Sequence, residues 1–272
     1  MLACRTLALA TLPLAFLLTL SGCGGDGGTA TSGLATNACS TIGLNTKIIN
    51  GTPCEPTGSP VVMVNLYDRS GESYNCSGSV VTAQDVLTAG HCFLSEQDSL
   101  DIEAASITIG EQEIFASAII VPQAYREDDT AVYSDAAVLK FARPLNLPIL
   151  PIIVNRKVTV DDVIAIYGYG ADKFGSLGTL RSGEMLVDAV TPNHLFSTFG
   201  LSGSNTCFGD SGGPAVLRYV DENGATVTGI VGITSSGSRE RCETGDRSLF
   251  ANVQEEPIRG FLQRAIPGIE LR

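Results

Sequence analysis

Basic residues are scarce in this chain of 272 residues: Lys and Arg number 17 against 29 Asp and Glu, a formal net charge of −12 at pH 7. No basic cluster interrupts that excess, which disfavours nucleic acid and anionic surfaces as partners and favours solubility. Histidine is scarcer still. His91 and His194 are the only two, so an imidazole base must be one of them. The N-terminal apolar run, Leu7 to Leu20, is short for a bilayer-spanning helix at ~14 residues and suits the core of an export signal. No internal repeat is visible.

Glycine, by contrast, is abundant at 30 residues, and it gathers around one serine in Cys207-Phe208-Gly209-Asp210-Ser211-Gly212-Gly213-Pro214. Glycine permits the unusual dihedrals that a sharply turned nucleophile needs, and it lets a substrate backbone come close. Gly-Asp-Ser-Gly alone is equally a surface turn. His91 lies in Leu87-Thr88-Ala89-Gly90-His91-Cys92, whereas His194, in Thr191-Pro192-Asn193-His194-Leu195, reads as structural. An acid stands in Tyr133-Ser134-Asp135-Ala136-Ala137-Val138-Leu139-Lys140. Asp128 and Asp129 are its rivals, but they fall in a polar run over residues 126–130, while Asp135 opens an apolar strand where burial is expected.

In this order the three stretches resemble the histidine, acid and nucleophile motifs of the trypsin-like, chymotrypsin-fold serine peptidases. The resemblance implies a fold of two six-stranded antiparallel β-barrels with a C-terminal α-helix and a catalytic triad in the cleft between the barrels. A serine hydroxyl is a poor nucleophile near neutral pH, so His91 is expected to take the Ser211 proton and return it to the leaving amine. Asp135 is expected to hold the imidazole's tautomer and stabilise its charged form. The N–H groups of Gly209 and Ser211 are the implied oxyanion hole.

The local patterns agree with an all-β domain. Short β-rich runs at 61–67, 79–83, 107–109, 116–121, 137–141, 163–168 and 227–233 alternate with turn signals. The end of the chain differs: from Gln254 to Ile266, Pro257 suits a helix start, and Ile258, Phe261, Leu262 and Ile266 recur at helical spacing until Pro267-Gly268.

The N-terminal region divides the chain into 1–22, 23–47 and 48–272. Leu20-Ser21-Gly22-Cys23 resembles the bacterial lipobox, which implies cleavage before Cys23 and lipidation there; an ordinary secretory signal is the alternative. Gly24 after the cysteine points to the outer membrane of a bacterial envelope, with the facing side open. Residues 24–46 are Gly-, Ser-, Thr- and Ala-rich and read as a flexible linker. Lys47-Ile48-Ile49-Asn50-Gly51 resembles the family's activation site. Cutting after Lys47 would free the Ile48 amine to pair with Asp210, which implies a zymogen and a separate trypsin-like activating protease.

Among eight cysteines, Cys4 leaves with the signal and Cys23 is the lipid site. The resemblance pairs Cys76 with Cys92 and Cys207 with Cys242. Cys39 and Cys54 remain as the economical third pair, with free or intermolecular thiols the alternative. An even remainder in an exported chain reads as a disulfide framework, and no metal or other cofactor is implied. Residues 110–114 run straight into a strand, without the acidic loop that binds calcium in many relatives.

The chain departs from the family around the specificity pocket. Asn205 stands where trypsins carry an aspartate, so a Lys or Arg side chain would meet no counter-charge. Ser235 keeps the serine that bonds the triad acid, Ser236 replaces a tryptophan before Gly237, and Ser248 narrows the far end. The pocket is expected to be neutral and shallow, with Asp246 and Glu243 the acids on a neighbouring loop able to change that. The reading is a monomeric, lipid-anchored serine endopeptidase acting on proteins or peptides. The alternatives are an inactive protein-binding module and a structural envelope lipoprotein.

Overall fold

In this computed structural model the described residues are 39, 42, 52–54, 56–94, 102–172, 174–200, 203–238 and 242–272. Cys23, Lys47 and Ile48, named above for lipidation and activation, lie outside them. Among the described residues no helix is long and apolar enough to cross a membrane.

The chain begins with β1 (Thr52–Pro53), β2 (Val61–Asp68), β3 (Ser73–Val80), β4 (Asp85–Thr88), β5 (Ile102–Ile109), β6 (Gln112–Phe115) and β7 (Ala118–Ile120). A separate hairpin of β8 (Arg126–Asp128) and β9 (Ala131–Tyr133) precedes β10 (Ala137–Lys140). The second half holds β11 (Val163–Gly168), β12 (Arg181–Leu186), β13 (Ala189–Val190), β14 (His194–Thr198), β15 (Pro214–Val220), β16 (Thr226–Gly237) and β17 (Arg247–Asn252). Helix α1 (Ile258–Ala265) follows.

Both sheets are antiparallel and curl on themselves. The first runs β6-β5-β2-β3-β4-β10-β7. Its two ends are arms of one bent strand: Ala116 N donates to Ala105 O on one side, and Ser117 N donates to Lys140 O on the other. The second runs β1-β12-β11-β15-β16-β17-β14-β13. Here β12 and β13 are the two arms, with Val187 N bonded to Asp162 O and Asp188 N to Phe196 O. A bent strand shared between both ends removes the open edge that a flat sheet would expose.

Alternation of side chains supplies each interior. Val64, Val86, Ile107 and Leu139 are buried in the first barrel, and Ile164, Met185, Leu195, Val231 and Phe250 in the second. Helix α1 buries Ile258, Phe261 and Leu262, as their spacing requires.

One local boundary differs from the sequence pattern. The run at 79–83 is not a strand of its own: β3 ends at Val80, and Val81 N and Thr82 N both donate to Asp85 O in a tight turn. The helix starts at Ile258, directly after Pro257 as the sequence suggests, and Gln254 ahead of it is committed elsewhere. Its side chain accepts from Val158 N and donates to Ile153 O and Arg156 O.

Candidate active site

The hairpin β8–β9 delivers the chain to Ser134, which adopts a left-handed φ of 52°, and a tight turn from Ala136 N to Ser134 O aims the next side chain inward. Asp135 is fully buried. Its Oδ1 accepts the backbone N–H of His91 at 2.8 Å, and its Oδ2 accepts His91 Nδ1 at 2.8 Å and Ser235 Oγ at 2.5 Å. Ser235 reaches it because β16 bulges between Thr234 and Ser236, giving one extra residue against β17. Nδ1 facing a carboxylate leaves Nε2 as the ring's other nitrogen, and the His91 side chain keeps 24% of its surface exposed.

Burial alone would raise the Asp135 pKa, but the His91 charge, the two bonds from His91 and the Ser235 bond hold it below the ordinary range. Burial pushes His91 down, yet the Asp135 charge and hydrogen bond, with Glu127 adding to them, leave it raised. The rival Asp128 is exposed at the hairpin turn. It is occupied by Thr130 and Arg126, and its carboxyl is held at about 2, first by the Thr130 hydroxyl. Asp129 is exposed beside it.

Ser211 lies on a segment clamped from both barrels. On the first-barrel side, Ser77 N donates to Ser211 O at 2.7 Å and Ser77 Oγ donates to Gly209 O at 2.8 Å. On the second-barrel side, Gly212 N donates to Thr234 O and Thr234 N to Gly213 O. A Cβ at Gly212 would lie 2.1 Å from Thr88 Oγ1 and 2.3 Å from Ser77 O, so only glycine lets this segment approach the strand leading to His91. Within the loop, the N–H groups of Asp210, Gly212 and Gly213 all have backbone acceptors, while those of Gly209 and Ser211 have none among the described residues. No hydrogen bond joins Ser211 Oγ to His91 in this arrangement, a contact that often tightens only when substrate binds.

Asp210 turns away from the cleft into a half-buried niche against Gly168 and Gly170. Its Oδ1 accepts Gly170 N at 2.8 Å and its Oδ2 accepts Cys207 N at 2.9 Å. A Cβ on Gly170 would lie 2.4 Å from the carboxyl carbon. Burial raises this carboxyl to about 6, against the opposing effect of the two backbone donors and of Arg181.

The residues expected at the pocket floor form a polar network. Asn205 donates through Nδ2 to Asp246 Oδ2 at 3.0 Å and accepts Ser248 Oγ at 2.7 Å, and Ser248 also contacts Thr206 Oγ1 at 2.8 Å. Asp246 is buried, with Ser238 Oγ on its other oxygen. Of the two acids on the neighbouring loop it is the one that turns inward; Glu243 is exposed.

A comparison with protein-family models matches residues 48–256 to trypsin. The chain belongs to the trypsin family of serine endopeptidases. Relatives include the CLIP domain-containing serine protease B4 of Anopheles gambiae, 24% identical over 79% of this chain and 69% of the relative. Phenoloxidase-activating factor 3 of Holotrichia diomphalia is 24% identical over 62% of this chain and 59% of its own length. The chain thus spans about six-tenths to seven-tenths of these relatives. The solved structure of HL collagenase shares the fold with a TM-score of 0.65 at 21% identity, covering 81% of this chain and 99% of that one.

Against this trypsin-family frame, three disulfides form: Cys76 with Cys92, Cys207 with Cys242, and Cys39 with Cys54. The last is seated on the second barrel, where Cys54 N donates to Leu180 O and Ser182 Oγ lies 3.1 Å from Cys39 Sγ. His194 is buried, with Nε2 on Val132 O at 2.8 Å between Tyr133 and Phe196, away from the triad candidates. Ser77 is a clamp that sequence reasoning misses. Its one signal there is its place beside Cys76, and the residues it clamps, Gly209 and Ser211, are 132 and 134 positions away.

The Asp135 geometry fixes two expected outcomes. Asp135→Asn should lower turnover by ~10⁴, the cost of losing the correct imidazole tautomer in Ser-His-Asp peptidases, whereas Asp128→Asn should change it little. The acid limb of the parent's kcat/KM should lie above the ~6.5 of a free histidine, because the neutral ring is the competent base.

Asp210 carries a third. Its folded pKa is raised, so folding favours its protonated form. Its contribution is present below the unfolded value near 4 and is lost as pH rises through about 6. In the uncut Ser211→Ala chain, urea stability should fall between pH 4 and 6.5 relative to Asp210→Asn. Parallel pH profiles for the two chains would contradict this.

Proposed function

We propose that this chain is a serine endopeptidase in which Ser211 attacks the peptide carbonyl, His91 carries the proton and Asp135 orients the ring. The observation that carries this reading is the buried Asp135 carboxylate holding both the backbone and Nδ1 of His91, next to a nucleophile loop with two undonated N–H groups. Attack transfers the Ser211 proton to Nε2, and the raised His91 pKa suits it to accept that proton. The carbonyl oxygen gains charge where the Gly209 and Ser211 N–H groups converge, and the acyl-enzyme is then hydrolysed by the reverse proton path.

The reading extends to the ends of the domain. Cleavage after Lys47 by a separate trypsin-like protease frees Ile48 to pair with Asp210, a carboxyl that two backbone N–H groups hold in its niche. The names of the relatives, among them a phenoloxidase-activating factor, favour a proteolytic cascade style of activation and protein substrates. Asn205 sets a preference for neutral side chains before the cut: its amide, donating to Asp246 Oδ2, stands where trypsins carry a charged residue, and Asp246 itself is buried. Residues 1–22 are a lipoprotein signal, Cys23 carries the lipid, 23–47 form the linker, and residues 48–272 act as a monomeric domain in a bacterial envelope, at the outer membrane.

An active-site-directed phosphonate should label Ser211 after cleavage at Lys47 and not in His91→Ala, and a peptide-library profile should rank Lys and Arg among the poorest residues before the cut. Failure to label would favour an inactive binding module or a structural lipoprotein. Rapid cleavage of a Ser211→Ala precursor by the active enzyme would overturn the neutral preference and the need for an activator.

The Cys39–Cys54 bridge spans the Lys47 cut in sequence, so the cut domain should stay attached to Cys23. Membranes treated with trypsin should keep activity in the pellet without reductant and release it after mild reduction. Release without reductant would sink the leash.

A further inference from the structure

Arg181 opens β12 between Gly168 of β11 and Pro53 of β1, so its backbone is held on both sides. Its side chain is only 20% exposed. The guanidinium reaches back to the chain that leaves β11. Nη2 donates to Asp172 Oδ2 at 2.8 Å, and Nη1 donates to Gly170 O at 3.2 Å, with Ser176 O and Thr179 O at 3.4 Å. This cation has no part in the triad.

Its contact with Gly170 leads to the nucleophile loop. Gly170 O and the Ala171 N–H belong to one peptide unit, and Phe208 O and the Gly209 N–H belong to another. Ala171 N donates to Phe208 O at 2.8 Å. Two hydrogen bonds and two peptide units therefore join the guanidinium to the Gly209 donor. In a planar trans peptide the C=O and N–H point in opposite directions, so the bond that holds Phe208 O toward Ala171 directs the Gly209 N–H away from it.

That peptide needs holding. Gly209 has a φ of 91°, and a glycine takes a negative φ as readily, so sterics at Gly209 do not stop the Phe208–Gly209 peptide from turning over. A side chain there is no remedy, because a Cβ on Gly209 would lie 3.1 Å from Gly170 Cα. The following peptide is fixed separately, by Ser77 Oγ on Gly209 O and by Asp210 N on Cys207 O. What opposes rotation of Phe208–Gly209 is the bond from Ala171, and the Ala171 peptide is in turn held by Arg181.

We propose that Arg181 is a positioning residue for the oxyanion hole: by fixing the Gly170–Ala171 peptide it keeps the Gly209 N–H aimed at the carbonyl oxygen under attack. The proposal rests on the peptidase reading above. Polarisation along the path is the smaller effect, since each bond strengthens its neighbour by only about 10–30%. Orientation is the larger one. Complete loss of one oxyanion donor costs ~10²–10³ in turnover, and a donor free to turn away forfeits part of that.

The test uses the full chain cut after Lys47 and three probes of one peptide sequence. These are an amide substrate, a trifluoromethyl ketone whose carbonyl takes Ser211 Oγ as a hemiketal, and the matching trifluoromethyl alcohol, which has no carbonyl. Arg181→Met should lower kcat at least about tenfold with KM within about twofold. It should weaken the ketone at least about tenfold and the alcohol by under about twofold, a split that general damage to the site does not produce. Ala171→Pro removes the N–H at the next link and should give the same split. Adding it to Arg181→Met should cost under about threefold more, because both interrupt one path. Asp172→Asn leaves Arg181 on Gly170 and should cost under about threefold.

Equal weakening of ketone and alcohol, unchanged ketone affinity, or multiplying effects of the two variants would each overturn the proposal. So would an Asp172→Asn loss as large as that of Arg181→Met, which would assign the effect to the ion pair. Should Arg181→Met fail to fold, the ketone-to-alcohol ratio in Ala171→Pro decides by the same criterion. A parent that turns over neither the amide nor a nitrophenyl ester of the same sequence would overturn the peptidase reading itself, and this inference with it.

Discussion

A single buried carboxylate ties the two barrels to the chemistry of their cleft. Asp135 and His91 come from the first barrel, and Ser235, which completes the set of three donors, comes from a bulge in the second. A carboxylate removed from water is costly unless its lone pairs are satisfied, and three donors with a neighbouring imidazole meet that cost. Displacing either barrel would break a bond to this group. The same interaction that orients the imidazole thus penalises separation of the halves.

The nucleophile loop depends on a second set of cross-barrel bonds. Ser77 reaches it from β3, Thr234 from β16, and the Asp210 side chain pins it against Gly170 beyond β11. Among the described residues, the N–H groups of Gly209 and Ser211 are left without a backbone acceptor. Burial raises the Asp210 pKa, and two backbone donors and Arg181 only partly offset it. Loop shape and proton affinity are therefore coupled at the residue beside the proposed nucleophile.

Neighbouring segments around the nucleophile loop acquire opposite character. Asn205, Ser248, Thr206, Ser238 and Asp246 bond to one another in a polar network where the specificity pocket is expected. Beside the Gly209 turn, Asp172 and Arg181 pair with each other, and Leu177 and Phe208 are exposed.

Much of the fold and of the candidate site is legible in the order of residues. Gly-Asp-Ser-Gly and Ala-Gly-His-Cys are local because the nucleophile turn and the histidine loop need particular dihedrals and close approaches at particular positions, and Gly212 against Thr88 and Ser77 shows why. Alternating β-branched runs mark the strands, and helical spacing marks α1. In the sequence, the choice of Asp135 over Asp128 rests on hydrophobic context alone. Its decisive property, three donors on a buried group, is tertiary. Asp246 and Glu243 are equally acids near the pocket until their loop folds; the fold turns Asp246 in and leaves Glu243 out. Nor does any local pattern single out Ser77, whose partners on the nucleophile loop are more than 130 residues away. The sequence by itself therefore determined the residue types, their order and the strand periodicity, which depend on neighbours in the chain. Tertiary structure decided burial, hydrogen-bond partners and proton affinities, because those depend on which distant segments share the same low-dielectric space.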